Sequence, residues 1–228
     1  MNGRGFLVVW DWNGTLLDDF EAILTGVNTI LRHYGRAPVD VVAYREAFDI
    51  PIDLLYTNLG FSVEEVRQHL SDYQAIFHRV YEPQADKTSL RAGADDALKE
   101  TVVRGGTNII LSNHIREPIA RQVRRLGLES QIEALLASEA RTPQKGDPAK
   151  GDRLVAFMHA NGWAAESTVI IGDTPEEVRI ARALGLRSVA LTGGAASESR
   201  LRAAGPDVVL DSLEDLPRWW DKEGRMAR

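Results

Sequence analysis

From Gly93 to Leu210 the chain repeats one pattern, in which short apolar, β-branched runs alternate with amphipathic stretches. The runs are Thr107 to Leu111, about 132 to 137, Thr168 to Ile171, Ser188 to Leu191 and Val208 to Leu210. Helical spacing fills most of the intervals: a stretch ending near Arg104, Glu117 to Leu126, about 152 to 161 and about 176 to 184. Apolar runs this short and this continuous are strands buried on both faces. Strands and helices in alternation make a parallel sheet covered by helices on both sides, with right-handed crossovers.

The opening strand of that sheet lies far upstream. Phe6 to Trp10 are five apolar residues ending at Asp11, and Trp12-Asn13-Gly14-Thr15 follow. Between this run and the next strand the pattern is helical throughout. Phe20, Ile23, Leu24, Val27, Ile30, Leu31 and Tyr34 form one stripe, closed by Gly35. Pro38 opens a second helical stretch to about residue 48, and Pro51 a third to about residue 59. Ser62 and Glu65 have capping-box spacing and start a long helix to about Tyr81, after which Glu82 to Asp86 reads as a connector. The expected architecture is therefore α/β: a Rossmann-like parallel-sheet core, residues 1–18 and 83–228, carrying an inserted all-helical cap, residues 19–82. The tail from Leu213, with Trp219 and Trp220, reads as a docking helix or turn.

With 44% hydrophobic content over 228 residues, one sizeable core plus a smaller insertion is affordable. A net charge of -6, with no basic block longer than Arg124-Arg125, argues against nucleic acid as a partner. The absence of cysteine removes disulfides and thiolate metal sites and fits a reducing compartment. The apolar run before Asp11 is too short for a signal sequence or a membrane span, so a cytoplasmic location without membrane contact is expected.

In open parallel sheets, ligands sit outside the carboxyl ends of the strands, where strand order reverses. Three strands here end in polar residues of complementary chemistry: Asp11 after FLVVW, Ser112 after NIIL and Asp173 after VIIG. Singly, such residues are ordinary turn formers. Together, with the backbone freedom of Gly14 and the hydroxyl of Thr15, they make a place for a small anion.

Four segments then carry a family resemblance. Asp11-Trp12-Asn13-Gly14-Thr15-Leu16, Leu111-Ser112-Asn113, a lysine before the 152–161 helix, and Gly172-Asp173-Thr174-Pro175-Glu176-Glu177 occur in that order. They resemble the four motifs of haloacid dehalogenase (HAD) superfamily hydrolases, in the phosphoglycolate-phosphatase-like branch with a helical C1-type cap after the first motif. The resemblance spans about residues 6 to 210. It implies a Mg2+-dependent phosphatase acting on a small phosphorylated metabolite, with Asp11 as the nucleophile that forms an aspartyl phosphate. It places Mg2+ among Asp11, the Asn13 main-chain carbonyl, Asp173, the phosphate and waters. Ser112, the amides of Asn113 and Gly14, and Thr15 are implied to hold the phosphoryl oxygens. A lysine is implied to offset phosphate charge and orient Asp11; Lys150 is the preferred residue and Lys145 the alternative. Glu177 stands where the family usually has Asp. It reads equally as a ligand of the metal or its waters and as negative charge at a helix N-terminus.

One departure bears on chemistry. The family's phosphatases carry a second Asp two residues past the nucleophile, and here that residue is Asn13. An amide neither releases nor accepts a proton at neutral pH, so a general acid/base contribution of roughly 10²- to 10⁴-fold is missing. Positioning and electrostatics, which carry most of phosphoryl transfer, remain, and good leaving groups suffer least. His114 is a candidate proton shuttle, with a surface or capping role as its plainer reading. Two other functions stay open: a non-catalytic protein that binds a phosphorylated metabolite, and a metal-independent 2-haloacid dehalogenase, against which Gly172-Asp173 speaks. A phosphonoacetaldehyde hydrolase is disfavoured, because residues 19–82 contain no lysine for a Schiff base. Substrate choice falls to the helical block, where Tyr44, Arg45, Asp49, Asp53 and Tyr56 are candidates.

Overall fold

The computed structural model describes residues 5–139 and 149–223. Its centre is one sheet of six strands, all pairs parallel: β1 (Leu7–Trp10), β2 (Thr107–Ile115), β3 (Ala134–Ser138), β4 (Thr168–Gly172), β5 (Arg187–Leu191) and β6 (Val208–Leu210). The spatial order is β3-β2-β1-β4-β5-β6. β1 lies centrally, with β2 on one side and β4 on the other, so the reversal of strand order falls beside Asp11.

Alternation along β1 explains why its run is unbroken. Val8 and Trp10 join the larger apolar cluster on one face, and Leu7 and Val9 join the smaller one on the other. All four are fully buried. The second face is covered by α7 (Lys150–Asn161) through Leu154 and Met158, and by α8 (Pro175–Leu184) through Ala181. The remaining helices of the second half are α5 (Ala94–Val103), α6 (Arg116–Arg125), α9 (Glu198–Ala204) and α10 (Leu216–Glu223). In α10, Trp219 and Trp220 are buried, and Trp220 packs against Phe6 at 5.2 Å between ring centroids.

Between β1 and α5 run four helices: α1 (Phe20–His33), α2 (Val41–Ala47), α3 (Asp53–Asn58) and α4 (Val63–Ala85). α1 and α4 pack along each other, with Tyr34, Tyr56, Phe61 and Tyr73 as an aromatic knot beneath them. The Ser62/Glu65 capping box is present, each residue bonding the other's main chain.

Four local expectations are corrected. The segment 82–86 is not a connector, because α4 runs through Pro83 to Ala85. Proline inside a helix removes one main-chain bond at a cost of about 3 kcal/mol. Pro83 is on the exposed side, however, and Tyr81 and Ala85, four apart, hold the buried side. Strand β2 does not stop at Leu111; the chain stays extended across a register shift until Ile115 pairs with Ser138. Helix α7 begins at Lys150 rather than at Asp152, whose carboxylate instead accepts the Ala149 amide. α9 was not expected, being only seven residues long. No described helix is long and apolar enough to cross a membrane.

Candidate active site

β1 delivers Asp11 to the edge of a cavity of about 960 Å³, with its amide bonded to the Ile171 carbonyl of β4 at 2.9 Å. Asn13, Ser112, Asn113, Lys150 and Glu177 line the same cavity, so with Asp11 six of the residues expected to act together do meet. Lys145 lies outside the described residues. Lys150 reaches in from the first turn of α7, a position where the helix dipole disfavours a cation. Two carboxylates offset this: Asp11 Oδ1 accepts its ammonium at 2.6 Å and Glu177 accepts it on the other side. All three side chains are buried.

Glu177 is committed on both oxygens. One takes Lys150; the other takes the Thr174 hydroxyl at 2.5 Å and the Thr174 amide at 3.2 Å, which closes the N-terminus of α8. Gly172 makes this possible, since a Cβ there would stand 2.3 Å from Glu177 Cγ. Of its two sequence readings, the geometry favours helix-terminal charge, with the added task of holding the lysine.

Asp173 follows β4 and is fully buried behind the cavity wall. Its oxygens accept the Thr15 hydroxyl at 2.9 Å and the Ala195 amide at 2.6 Å. Gly14 has φ +71° and approaches so closely that a Cβ would lie 2.4 Å from Asp173 Oδ2. The phosphate donors expected from the first motif are therefore spent elsewhere. Thr15 serves Asp173, and the Gly14 amide donates to Asp19 Oδ1 at 2.8 Å. Ser112, near-buried, accepts the His114 amide at 3.1 Å and stands 3.5 Å from Asn13 Oδ1; Asn113 donates to Glu176 at 2.6 Å.

Electrostatics single out the carboxylates. Burial pushes Asp11 well above the usual range, against the pull of Lys150 and with the repulsion of Glu177 and Asp173. Burial, then Glu177, pushes Asp173 up to about 6, against the Ala195 amide and Thr15. Burial lowers and the two carboxylates raise Lys150, with a net upward shift. Two buried carboxylates at neighbouring strand ends, each disfavoured as an anion, are an all-oxygen donor set suited to a hard divalent ion. Asp11 and Asp173 fit magnesium in this sense.

Two site residues were missed by sequence reasoning. Asp19, fully buried, accepts Asn13 Nδ2 at 2.8 Å and the Tyr81 hydroxyl at 2.5 Å; Tyr81 accepts Asn13 Nδ2 at 2.6 Å. Burial raises the Asp19 carboxyl, and these donors oppose it. Asp19 had a visible signal as the second of two carboxylates before α1, but Tyr81, 62 residues on, had none. Among the candidates for substrate choice, Tyr44 and Tyr56 line the cavity. Arg45 instead donates to the carbonyls of Gly193 and Gly194, and Asp49 pairs with Arg200.

Comparison with known proteins gives a consistent picture. The family model described as haloacid dehalogenase-like hydrolase matches residues 8–191. The chain is 27% identical over 218 residues to the phosphoglycolate phosphatase of Synechococcus elongatus, covering 92% of this chain and 94% of that protein. It is 26% identical over 213 residues to the "Probable phosphatase IndB" of Dickeya dadantii, covering 92% and 91%. Among solved structures, the haloacid dehalogenase-like family protein SP0104 from Streptococcus pneumoniae superposes with a TM-score of 0.78 at 19% identity, over 95% of this chain and 99% of that one.

Proposed function

The chain belongs to the haloacid dehalogenase-like hydrolase family, and on that footing we propose that it is a magnesium-dependent phosphatase of a small phosphorylated metabolite, working through phosphorylated Asp11. The observation that carries this reading is the buried Asp11 carboxylate at the end of β1, held by Lys150 at 2.6 Å and opening onto the cavity lined by Ser112 and Asn113. In this reading the Ser112 hydroxyl, the Asn113 amide and the Lys150 ammonium take the phosphoryl oxygens and set phosphorus in line with Asp11. An Asp11 oxygen bonds to phosphorus while the ester oxygen leaves with the bonding pair. Water then attacks phosphorus, releasing phosphate and restoring the carboxylate. Magnesium, held by Asp11, the Asn13 carbonyl and Asp173, would offset the charge on the phosphoryl oxygens.

Asn13 donates no proton to the departing oxygen, so the reading favours leaving groups that are stable as anions. The cavity wall points the same way: Tyr44, Phe48, Leu55, Tyr56 and Phe77 make its helical side apolar and aromatic. Phenol- or enol-type phosphomonoesters combine both properties. The same reading treats residues 19–82, with α4 continued to Ala85, as a cap on the core of residues 1–18 and 83–228, and places the enzyme in the cytoplasm. The test is turnover of p-nitrophenyl phosphate and glycerol phosphate with and without Mg2+, beside Asp11→Asn. Mg2+-dependent turnover that prefers the nitrophenyl ester and vanishes in Asp11→Asn is expected. Equal rates in both proteins would leave only a phosphometabolite-binding role.

A further inference from the structure

A second polar cluster borders the same cavity but has no part in the reaction described. His78 and Glu82, one turn apart on α4, face His114 at the end of β2. Their ligand atoms, His Nδ1 or Nε2 and carboxylate oxygen, all lie within 4.8 Å of one another. His78 Nδ1 is 2.9 Å and His114 Nε2 3.3 Å from Glu82 Oε1. The side chains are only 13%, 13% and 10% exposed for His78, Glu82 and His114.

A hydrogen-bonded helical pair accounts for His78 and one oxygen of Glu82, but not for the rest. Glu82 Oε2 is buried and makes no hydrogen bond, and the buried His114 Nε2 meets Glu82 Oε1 at 3.3 Å without hydrogen-bond geometry. Buried polar atoms left unmatched cost about 1–3 kcal/mol each. They are aimed at one small region by packing, for the imidazoles stack at 5.5 Å with 22° between planes, and His114 also meets Tyr81 edge-on at 5.5 Å. A tetrahedral ion with bonds of about 2.0–2.1 Å holds its donor atoms about 3.3 Å apart. The two distances to Glu82 Oε1, 2.9 and 3.3 Å, are close to that spacing.

We propose that His78, Glu82 and His114 form a binding site for a borderline transition-metal ion such as Zn2+, separate from the Asp11 and Asp173 position, fastening α4 to the end of β2. Two imidazoles and one carboxylate select such ions over Mg2+, which prefers an all-oxygen octahedron. Three protein ligands leave a further position for water. A cleft of about 490 Å³ lined by His78, Arg79, Glu82 and Pro83 gives access from the surface. The site joins an element of the helical block to the strand that carries Ser112, so an ion there restrains the two against each other.

The experiment uses the full chain, stripped of metal and saturated with Mg2+ to occupy the oxygen site. Zn2+ is titrated calorimetrically, and Co2+ is followed by its visible absorption. One equivalent of each is expected to bind, with affinity for Zn2+ reduced at least about 100-fold in His78→Gln and in His114→Gln, since loss of a mere outer partner already costs 10- to 100-fold. Asp173→Asn is expected to keep the wild-type Zn2+ affinity. X-ray absorption of the Zn2+-loaded wild type, which needs no variant, is expected to show scattering from two imidazoles. Absence of stoichiometric binding under Mg2+, bound Zn2+ without imidazole scattering, or unchanged affinity in both histidine variants would overturn the proposal. None of these readouts uses phosphatase turnover, so this proposal stands or fails apart from the proposed activity.

Discussion

Lys150 Nζ lies 2.6 Å from Asp11 Oδ1 while Glu177 grips the same ammonium from α8, so one buried cation serves two buried carboxylates. This sharing sets the state of the proposed nucleophile. With Lys150 present, Asp11 has a fixed orientation and a charge partner in a place where burial alone favours its neutral form.

Removing the cation exposes that dependence. Lys150→Met leaves Asp11 and Glu177 buried without a counter-charge, and breaking a buried pair from one side costs about 3–5 kcal/mol. Adding Glu177→Gln removes one stranded charge, so the double variant is expected to recover part of the stability but none of the activity. Urea unfolding of the single and double variants, compared with turnover, checks this; additive stability losses would contradict the shared-cation account.

Asn13 is tied into its position by Asp19 and Tyr81. Asn13→Asp alone sets a second carboxylate against Asp19 at hydrogen-bond distance, with no proton to share at neutral pH unless one of the two stays protonated. The single substitution is expected to lower the melting temperature. Asn13→Asp combined with Asp19→Asn keeps a donor between the two positions and is expected to restore stability. It should also raise turnover of glycerol phosphate more than that of the nitrophenyl ester, because proton donation matters most for poor leaving groups. Equal gains on both substrates would count against the proton-transfer argument.

Much of this geometry was legible in the chain, and its limits have physical causes. Phe6 to Trp10 had to be a two-faced buried strand because nothing polar interrupts it, and β1 is central. The Ser62/Glu65 spacing located the start of α4 because a capping box is a local device. The end of α4 was not local: tertiary burial of Tyr81 and Ala85 outweighs the proline between them. Likewise Ser112 to His114 look like a strand end, yet the pairing of Ile115 with Ser138 keeps the backbone extended. The use of Gly14 and Thr15 followed from partners far away in sequence, Asp173 above all, that no spacing encodes.

Acidity offers a third check. In the metal-free protein Asp173 is raised to about 6 by burial and by Glu177, whereas an unfolded Asp titrates near about 3.9. A raised folded-state pKa contributes stability that is fully present below the unfolded value and lost as pH rises through about 6. Mg2+, bound by the ionised carboxylates as proposed, would offset that loss. The rise in melting temperature on adding Mg2+ is therefore expected to be larger near about pH 7.5 than near about pH 5; an equal rise at both would contradict a magnesium position at Asp173.

The most direct test is to look for the phosphoryl group on the enzyme. On the proposed mechanism Asn13 offers no base to the attacking water, so the acyl phosphate is expected to hydrolyse slowly and to accumulate during turnover of p-nitrophenyl phosphate. Acid quench in the steady state, digestion and mass spectrometry are expected to find one added phosphoryl group on the peptide containing Asp11, and none in Asp11→Asn. Turnover with the phosphoryl group on any other residue, or with a wild-type Asp11 peptide that is never modified, would contradict the account.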